Sequence, residues 1–399
     1  MKLPGGIAAA TLVISLVVAF MGAVFSHGLN VIIDLNQKFP VLVFLLPLLL
    51  WLTLTLEKRV ELMSSAVNHS WKSNSLVNKA TVSDLLLLPF CWLSHLGGAS
   101  VGRESVAVQL GRGISHVVGA CFGLLENPRS REILMRVGMA SGFAAVFGTP
   151  WTGLVFSFEW KSVQQEDDLG REPMFDAVKF DAVGWAALGS AASWWMASQI
   201  LKVPHSHFEV ERHQFDLHWM VFLIVMLSFA TGLAWLHNKS GKLFTRWFEL
   251  SGRSVFLRVF LPSVILILLF KNEETAIYRG LGLEILELAF SSGSSAGLDF
   301  WDPLLKSMVT VFCLSAGFKG GEVTPLLAMG ASSGYVLAEW IGVPTQAAAA
   351  VGFPLLFALV FSVPLSCLVF SFEFFGFEHG LSGAALCFLL LMKRVARHY

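Results

Sequence analysis

Residues 137–160 read VGMASGFAAVFGTPWTGLVFSFEW, and residues 351–374 read VGFPLLFALVFSVPLSCLVFSFEF. The two stretches lie 214 residues apart, agree at 13 of 24 positions and share LVFSFE whole. Compositional bias in an apolar chain gives short matches by chance. It does not readily set Pro150 on Pro364 and Glu159 on Glu373 at one offset. The pair therefore reads as an internal repeat, which decides architecture before any single residue does. A weaker pair precedes each copy. Gly102-Arg103-Glu104-Ser105-Val106 aligns with Gly321-Glu322-Val323-Thr324-Pro325 at an offset of 219, and Gly111 then falls on Gly330. On this reading the chain divides into two homologous halves, 1–205 and 206–399.

The repeat sits in a chain that is 55% hydrophobic and 14% charged, with a mean hydropathy of +0.67. Soluble domains run at about 45–50% apolar and about 25% charged. Too little polar surface is left to cover a soluble fold of 399 residues, so the expected class is an all-α polytopic membrane protein. The first apolar run, 6–28, reads as a membrane helix rather than a signal peptide, because hydrophobic segments continue to the end. Many later runs are shorter than the roughly 20 residues of a straight span. Several are broken by Gly, Pro or Ser, as at Ser94 to Ser100, Gly148-Thr149-Pro150 and Gly320-Gly321. Broken backbone at membrane depth must be buried in protein or line a polar cavity. Repeated, interrupted helices are the pattern of a transporter with its site where the repeats meet. The pattern leaves open whether the repeat is parallel or inverted.

Composition also excludes several classes. Lys plus Arg equals Asp plus Glu at 28 each, so no nucleic-acid partner is expected. The five cysteines form no CxxC or CxxH and read as small core residues, with no disulfide framework and no metal site. GxSxG occurs at Gly98–Gly102 and Gly293–Gly297. A nucleophile elbow needs an α/β sheet around it, which a helical membrane chain does not offer. No enzyme activity and no cofactor are expected. Lys393, Arg394 and Arg397 place the C-terminus in the cytoplasm by the positive-inside rule, with no soluble regulatory domain after the second half.

Two Gly-rich lead-ins can carry chemistry. In GGASVGRESVAVQLG, Arg103 and Glu104 stand at the mouth of an apolar helix. An ionisable residue at membrane depth is a functional hypothesis by default. Free N–H groups and the positive end of the helix dipole make the same spot an anion site. A carboxylate there can occupy the anion site and release it on protonation; the alternative is a carboxylate that caps its helix near the interface. In GFKGGEVTPLLAMG, Val323 and Thr324 would present N–H groups and the Thr324 hydroxyl one more donor. Such donors replace the water that a small anion sheds. The alternative is a Thr bonded back to its own helix. Glu322 is expected to pair with Lys319 or cap the turn. Glu159 and Glu373 are expected to anchor helix ends at the interface, and His95 to be a structural histidine. The small-residue run from Ala182 to Ser198 suits close helix packing in a dimer.

These residues resemble the CLC family of anion channels and anion/proton exchangers. GRESV is similar to the family's GREGP motif with its gating glutamate, and GGEVTP to its GxFxP motif. FGTPWTGLVFSFEW resembles the segment that closes the first half. The resemblance implies two halves of inverted topology, a homodimer with one pore per subunit, and a multi-pass protein of the bacterial inner membrane. SHLGGASVGRESVAVQLG and GFKGGEVTPLL are most similar to the bacterial fluoride/proton antiporter branch. The chloride motif GSGIPE does not occur, and Trp160 stands where chloride/proton exchangers carry an inner carboxylate. Ser105 and Val106 depart from the usual Gly and Pro or Thr. Carried over, Glu104 is gate and proton carrier. Gly102, Arg103, Ser105, Val106, Gly321, Val323 and Thr324 bind the anion, with Met63, Asn68 and Tyr399 as central contacts. The implied function is export of fluoride in exchange for protons. The alternatives are a chloride-selective channel or chloride/proton exchanger, and a non-transporting membrane protein.

Overall fold

The computed structural model describes residues 4–68, 79–168, 180–206, 208–211, 214–250, 254, 256–291 and 297–396. Among these residues the chain is helical, with one isolated two-residue bridge and no strand. The helices are α1 (Pro4–Lys38), α2 (Leu46–Asn68), α3 (Lys79–Leu96), α4 (Glu104–Cys121), α5 (Pro128–Phe147), α6 (Pro150–Asp168), α7 (Phe180–Trp195), α8 (Leu217–Leu250), α9 (Leu261–Phe270), α10 (Glu273–Ala276), α11 (Leu283–Ala289), α12 (Asp302–Ala316), α13 (Val323–Ile341), α14 (Thr345–Phe361) and α15 (Pro364–Ala396). Among the described residues four segments are long and apolar enough to cross a membrane: Gly5–Lys38, Pro40–Arg59, Leu217–Leu250 and Pro364–Lys393. They leave large apolar side chains such as Leu12, Phe20, Trp51, Ile224 and Leu389 exposed, as lipid-facing surface requires. The fold is all-α and polytopic. The chain divides into two compact units.

The first unit comprises Met1–Asp34, Trp51–Leu93 and Glu104–Ser206. Its centre is α5. Pro128 opens that helix, and the Asn127 side chain accepts from the Arg129 and Ser130 amides at 2.9 and 3.4 Å. Glycine lets α4 and α5 meet backbone to backbone. A Cβ on Gly111 would stand 2.0 Å from the Gly138 carbonyl oxygen, and one on Gly142 would stand 2.2 Å from that of Ala107. Between helices of a membrane protein such close packing, rather than water exclusion, supplies the attraction. α7 covers another face, where Ser193 Oγ donates to the Ser141 carbonyl at 3.0 Å and Ser190 Oγ to the Pro150 carbonyl at 2.7 Å. Gly189 lies against Val137, so part of the small-residue run 182–198 serves packing inside the unit, whereas Gly184 faces open space.

Helix α5 stops where Gly148 takes φ 78°, and Pro150 starts α6. The sequence expectation for Glu159 needs correction. α6 does not end there but runs on to Asp168, and Glu159 is buried within the unit. Lys161, Gln164, Gln165 and Glu166 are all good helix formers, so polarity beyond Trp160 does not break the helix.

The second unit comprises Leu35–Leu50, Ser94–Arg103 and His207–Tyr399. Here α13 and α14 meet through Gly330, whose Cβ would stand 2.2 Å from the Gly352 carbonyl oxygen, and Gly334, 2.1 Å from that of Ala348. One face of α8, with Trp219, Phe222 and Met226, packs on Leu337, Val351 and Leu355. α14 ends at Ser362, with φ 56°, and Pro364 starts α15. α15 bends at Gly376, three residues after Glu373.

Candidate functional site

In the second unit the two Gly-rich lead-ins are joined. Gly102 N–H donates to the Gly321 carbonyl at 2.5 Å, and Gly321 N–H donates to the Gly102 carbonyl at 2.8 Å. This reciprocal pair is the isolated bridge. Only glycine permits the approach. A Cβ on Gly102 would lie 2.9 Å from Pro325 Cδ and 3.0 Å from the Gly321 oxygen, and one on Gly320 would lie 2.6 Å from the Val101 side chain. Sequence alignment thus predicts two residues that the fold brings into direct contact. Arg103, Val323 and Thr324 are all buried in the same unit. α13 begins at Val323 with no acidic residue in its first turn and no side-chain cap from Glu322. The first-turn N–H groups point out of the helix end, where partial positive charge accumulates.

Further hydrogen bonds sew the Ser94–Arg103 segment to this unit. Ser94 Oγ accepts from the Lys319 amide at 2.9 Å. Ser100 is held by three side chains of α12: Lys306 Nζ donates to its Oγ at 2.9 Å, Thr310 Oγ1 shares a hydrogen bond with the same oxygen at 2.9 Å, and its own N–H donates to Cys313 Sγ at 3.3 Å. Positions 306, 310 and 313 lie on one helical face. Gly98 takes φ 81° and accepts from the Gly280 amide at 3.3 Å. Cys313, expected as a small core residue, is buried but also accepts a hydrogen bond.

In the first unit α4 opens on Glu104, which is 1% exposed, followed by half-buried Ser105 and buried Val106. A carboxylate at a helix start is favoured by the dipole, and its burial sets it apart from an ordinary surface cap. Glu104, Ser105 and Val106 therefore belong to one unit, and Gly102, Arg103, Gly321, Val323 and Thr324 to the other. Met63 and Asn68 fall at the end of α2, where side chains lie outside the described residues, as does Tyr399. Glu322 does not cap the turn with its side chain. Its carboxylate stands 3.7 Å from Nε2 of buried His237, whose Nδ1 is 2.9 Å from Ser307 Oγ. The chain folds α8 alongside the α13 lead-in, and that brings Glu322 an unforeseen neighbour. His237, Lys242, Arg246 and Glu322 share a cleft of about 630 Å³. The α12 residues escaped the sequence reading, although one signal was present: Lys306 is a lone cation inside the apolar run 303–316.

A family model described as voltage gated chloride channel matches residues 66–391. A chloride/fluoride channel protein of Pseudomonas syringae pv. tomato is 32% identical over 302 residues, covering 74% of this chain and 63% of its own length. An H(+)/Cl(-) exchange transporter ClcA of Klebsiella pneumoniae is 25% identical over 254 residues, covering 61% of this chain and 50% of its own. The chain thus spans between half and two thirds of these curated relatives. Among solved structures, a CLC-type fluoride/proton antiporter superposes with a TM-score of 0.81 at 24% identity, over 97% of this chain and 94% of that one. A slow cyanobacterial Cl-/H+ antiporter gives 0.74 at 19% identity, over 98% and 94%. At these identities the likeness speaks for the fold.

Proposed function

The chain belongs to the voltage gated chloride channel family, and from that premise we propose that it is a membrane antiporter exporting fluoride in exchange for protons. One observation carries the reading: two glycine-bridged lead-ins, at Gly102 and Gly321, each running into a helix start, one of which opens on the buried carboxylate of Glu104. Fluoride holds its water tightly and leaves it only for several strong donors. Backbone N–H groups at Glu104 to Val106 in one unit, and at Arg103 and Val323–Thr324 in the other, with the Thr324 hydroxyl and the Arg103 charge, are donors of that kind, the Gly102 N–H being engaged by Gly321. Ionised Glu104 competes with the anion for the same positive helix end. Protonation removes its charge, frees the site and gives the proton a carrier, so that each anion passage is tied to a proton. By the family resemblance Trp160 stands where chloride/proton exchangers carry an inner carboxylate, which supports Glu104 as the coupling group. The relatives named for chloride and fluoride support a halide as substrate, and the strings near Glu104 and Thr324 favour fluoride.

The same reading takes the chain as two homologous halves, 1–205 and 206–399, of inverted topology, working as a homodimer in the bacterial inner membrane. Recurrence of the glycine crossing in α4–α5 and α13–α14 supports the two halves. Fluoride and chloride efflux from liposomes, with external pH recorded, tests the function. Fluoride efflux with stoichiometric proton uptake and little chloride flux is expected. Chloride flux without proton movement would put the chain on the channel side and remove the fluoride assignment.

A further inference from the structure

Lys306 is fully buried in α12. An ammonium has three N–H donors and no acceptor. Three oxygens meet them: Ser100 Oγ at 2.9 Å, the Gly280 carbonyl at 2.9 Å and the Tyr278 carbonyl at 3.0 Å, with the Arg279 carbonyl farther off at 3.5 Å. All are neutral. The carboxylate one turn earlier, Asp302, is engaged elsewhere, by the Tyr278 hydroxyl at 2.5 Å and the Asp299 amide at 2.6 Å. Among the described residues no carboxylate forms an ion pair with Lys306. A buried cation without a countercharge is costly, and an anion bound close by would lower that cost.

The position of the charge points to what balances it. Lys306 holds Ser100, and Ser100 is two residues from Gly102, at most about 7 Å along the chain. Gly102 is the bridged glycine of the anion lead-in. We propose that Lys306 is a positioning residue for the transported anion: its ammonium fixes the Gly98–Gly102 backbone, and its positive charge is balanced by the halide bound at the adjacent lead-ins. The charge, rather than the hydrogen bonds of the clamp, then sets halide affinity. A unit charge roughly 10 Å away at an effective dielectric of about 20 changes an affinity by about tenfold. The inference rests on the transport reading only for the choice of ion.

The test separates charge from clamp. Lys306→Gln keeps a donor and removes the charge; Lys306→Arg keeps the charge. Thr310→Val removes another point of the clamp and leaves the ammonium in place. KM and kcat for fluoride and for chloride are measured in liposomes, and Kd for both halides by calorimetry on the detergent-solubilised protein. Expected are an approximately tenfold rise in KM and Kd for Lys306→Gln, with kcat changed less, recovery of most of the affinity in Lys306→Arg, and values within about twofold of wild type for Thr310→Val. Wild-type affinity in folded Lys306→Gln overturns the inference. So does a tenfold loss in Thr310→Val, which decides the matter even if the Lys306 variants do not fold. A wild type that moves chloride alone refutes the fluoride assignment and leaves this comparison to be read on chloride. A wild type that moves neither refutes transport and leaves the Kd comparison to decide.

Discussion

The α4–α5 pair and the α13–α14 pair are built on the same device. In each, a glycine of the first helix lies against a glycine carbonyl of the second, Gly111 on Gly138 and Gly330 on Gly352, and a second glycine lies against an alanine carbonyl one turn away. In each, the second helix ends in a left-handed residue and a proline starts the next helix two positions on. The pairs differ at the start of the first helix. α4 opens on a buried carboxylate, and α13 has no acid in its first turn. The packing frame is therefore held in common, and the chemistry is placed where the frame does not depend on it. A carboxylate at one start can titrate; donors alone at the other can only bind.

The strongest way to break the likeness is through its glycines. Gly111→Val and Gly330→Val each drive a side chain into a backbone oxygen, at 2.0 and 2.2 Å for the Cβ alone. Overpacking costs about 1–3 kcal/mol where neighbours can yield, and backbone yields less than side chain. Both variants should fail to give monodisperse protein by size-exclusion chromatography. If one gives stable protein, that pair is not held by its crossing.

Substitution at the two helix starts should separate their roles. Glu104→Gln removes the carboxylate on which the proposed coupling depends, so pH-driven halide exchange in liposomes should disappear. Thr324→Val removes one donor to the anion and should weaken halide affinity about tenfold while leaving proton movement tied to anion movement, as the loss of one hydrogen bond to a charged group implies. Persistent pH-driven exchange in Glu104→Gln would refute the assigned role.

The helix ends offer a smaller contrast with opposite signs. Gly148→Ala places a Cβ at φ 78° and 2.8 Å from the His205 ring, and should destabilise by at least the ~1–2 kcal/mol of a left-handed non-glycine residue. Ser362→Gly relieves that strain at φ 56° and, after the entropy of glycine is subtracted, should stabilise by about 0.5–1 kcal/mol. Thermal unfolding in detergent reads both. A change of similar size is expected at the start of α5. Asn127→Ala removes a cap worth about 1 kcal/mol, whereas α14 starts after Pro344 with no side-chain cap to lose.

Much of this was legible in the sequence because it is local or repeated. The start of a helix at Glu104, the helix break at Gly148-Thr149-Pro150, and the correspondence of Gly102 with Gly321 all follow from neighbouring residues and one offset. What escaped depends on which distant elements meet. Nothing near Ser100 announces Lys306, Thr310 and Cys313 as its partners, because three points on one face of α12 have meaning only once that face has something against it. His237 beside Glu322 escaped for the same reason, since it is there only because α8 packs nearby. Glu159 was misplaced because a change from apolar to charged residues marks a change of surroundings, which need not coincide with the end of a helix.

The assignment of Ser94–Arg103 to the second unit has a consequence for biosynthesis. Ser100 and Lys306 are 206 residues apart in the chain. At about 5–20 residues per second, the ribosome needs roughly 10–40 s to deliver the partner of a segment that has already emerged. Through that interval the lead-in has neither its bridge at Gly321 nor its clamp on α12. The stretch that carries the helix start at Glu104 is thus made early and completed late, and the nascent chain must hold it unpaired until α12 and the α13 lead-in have followed.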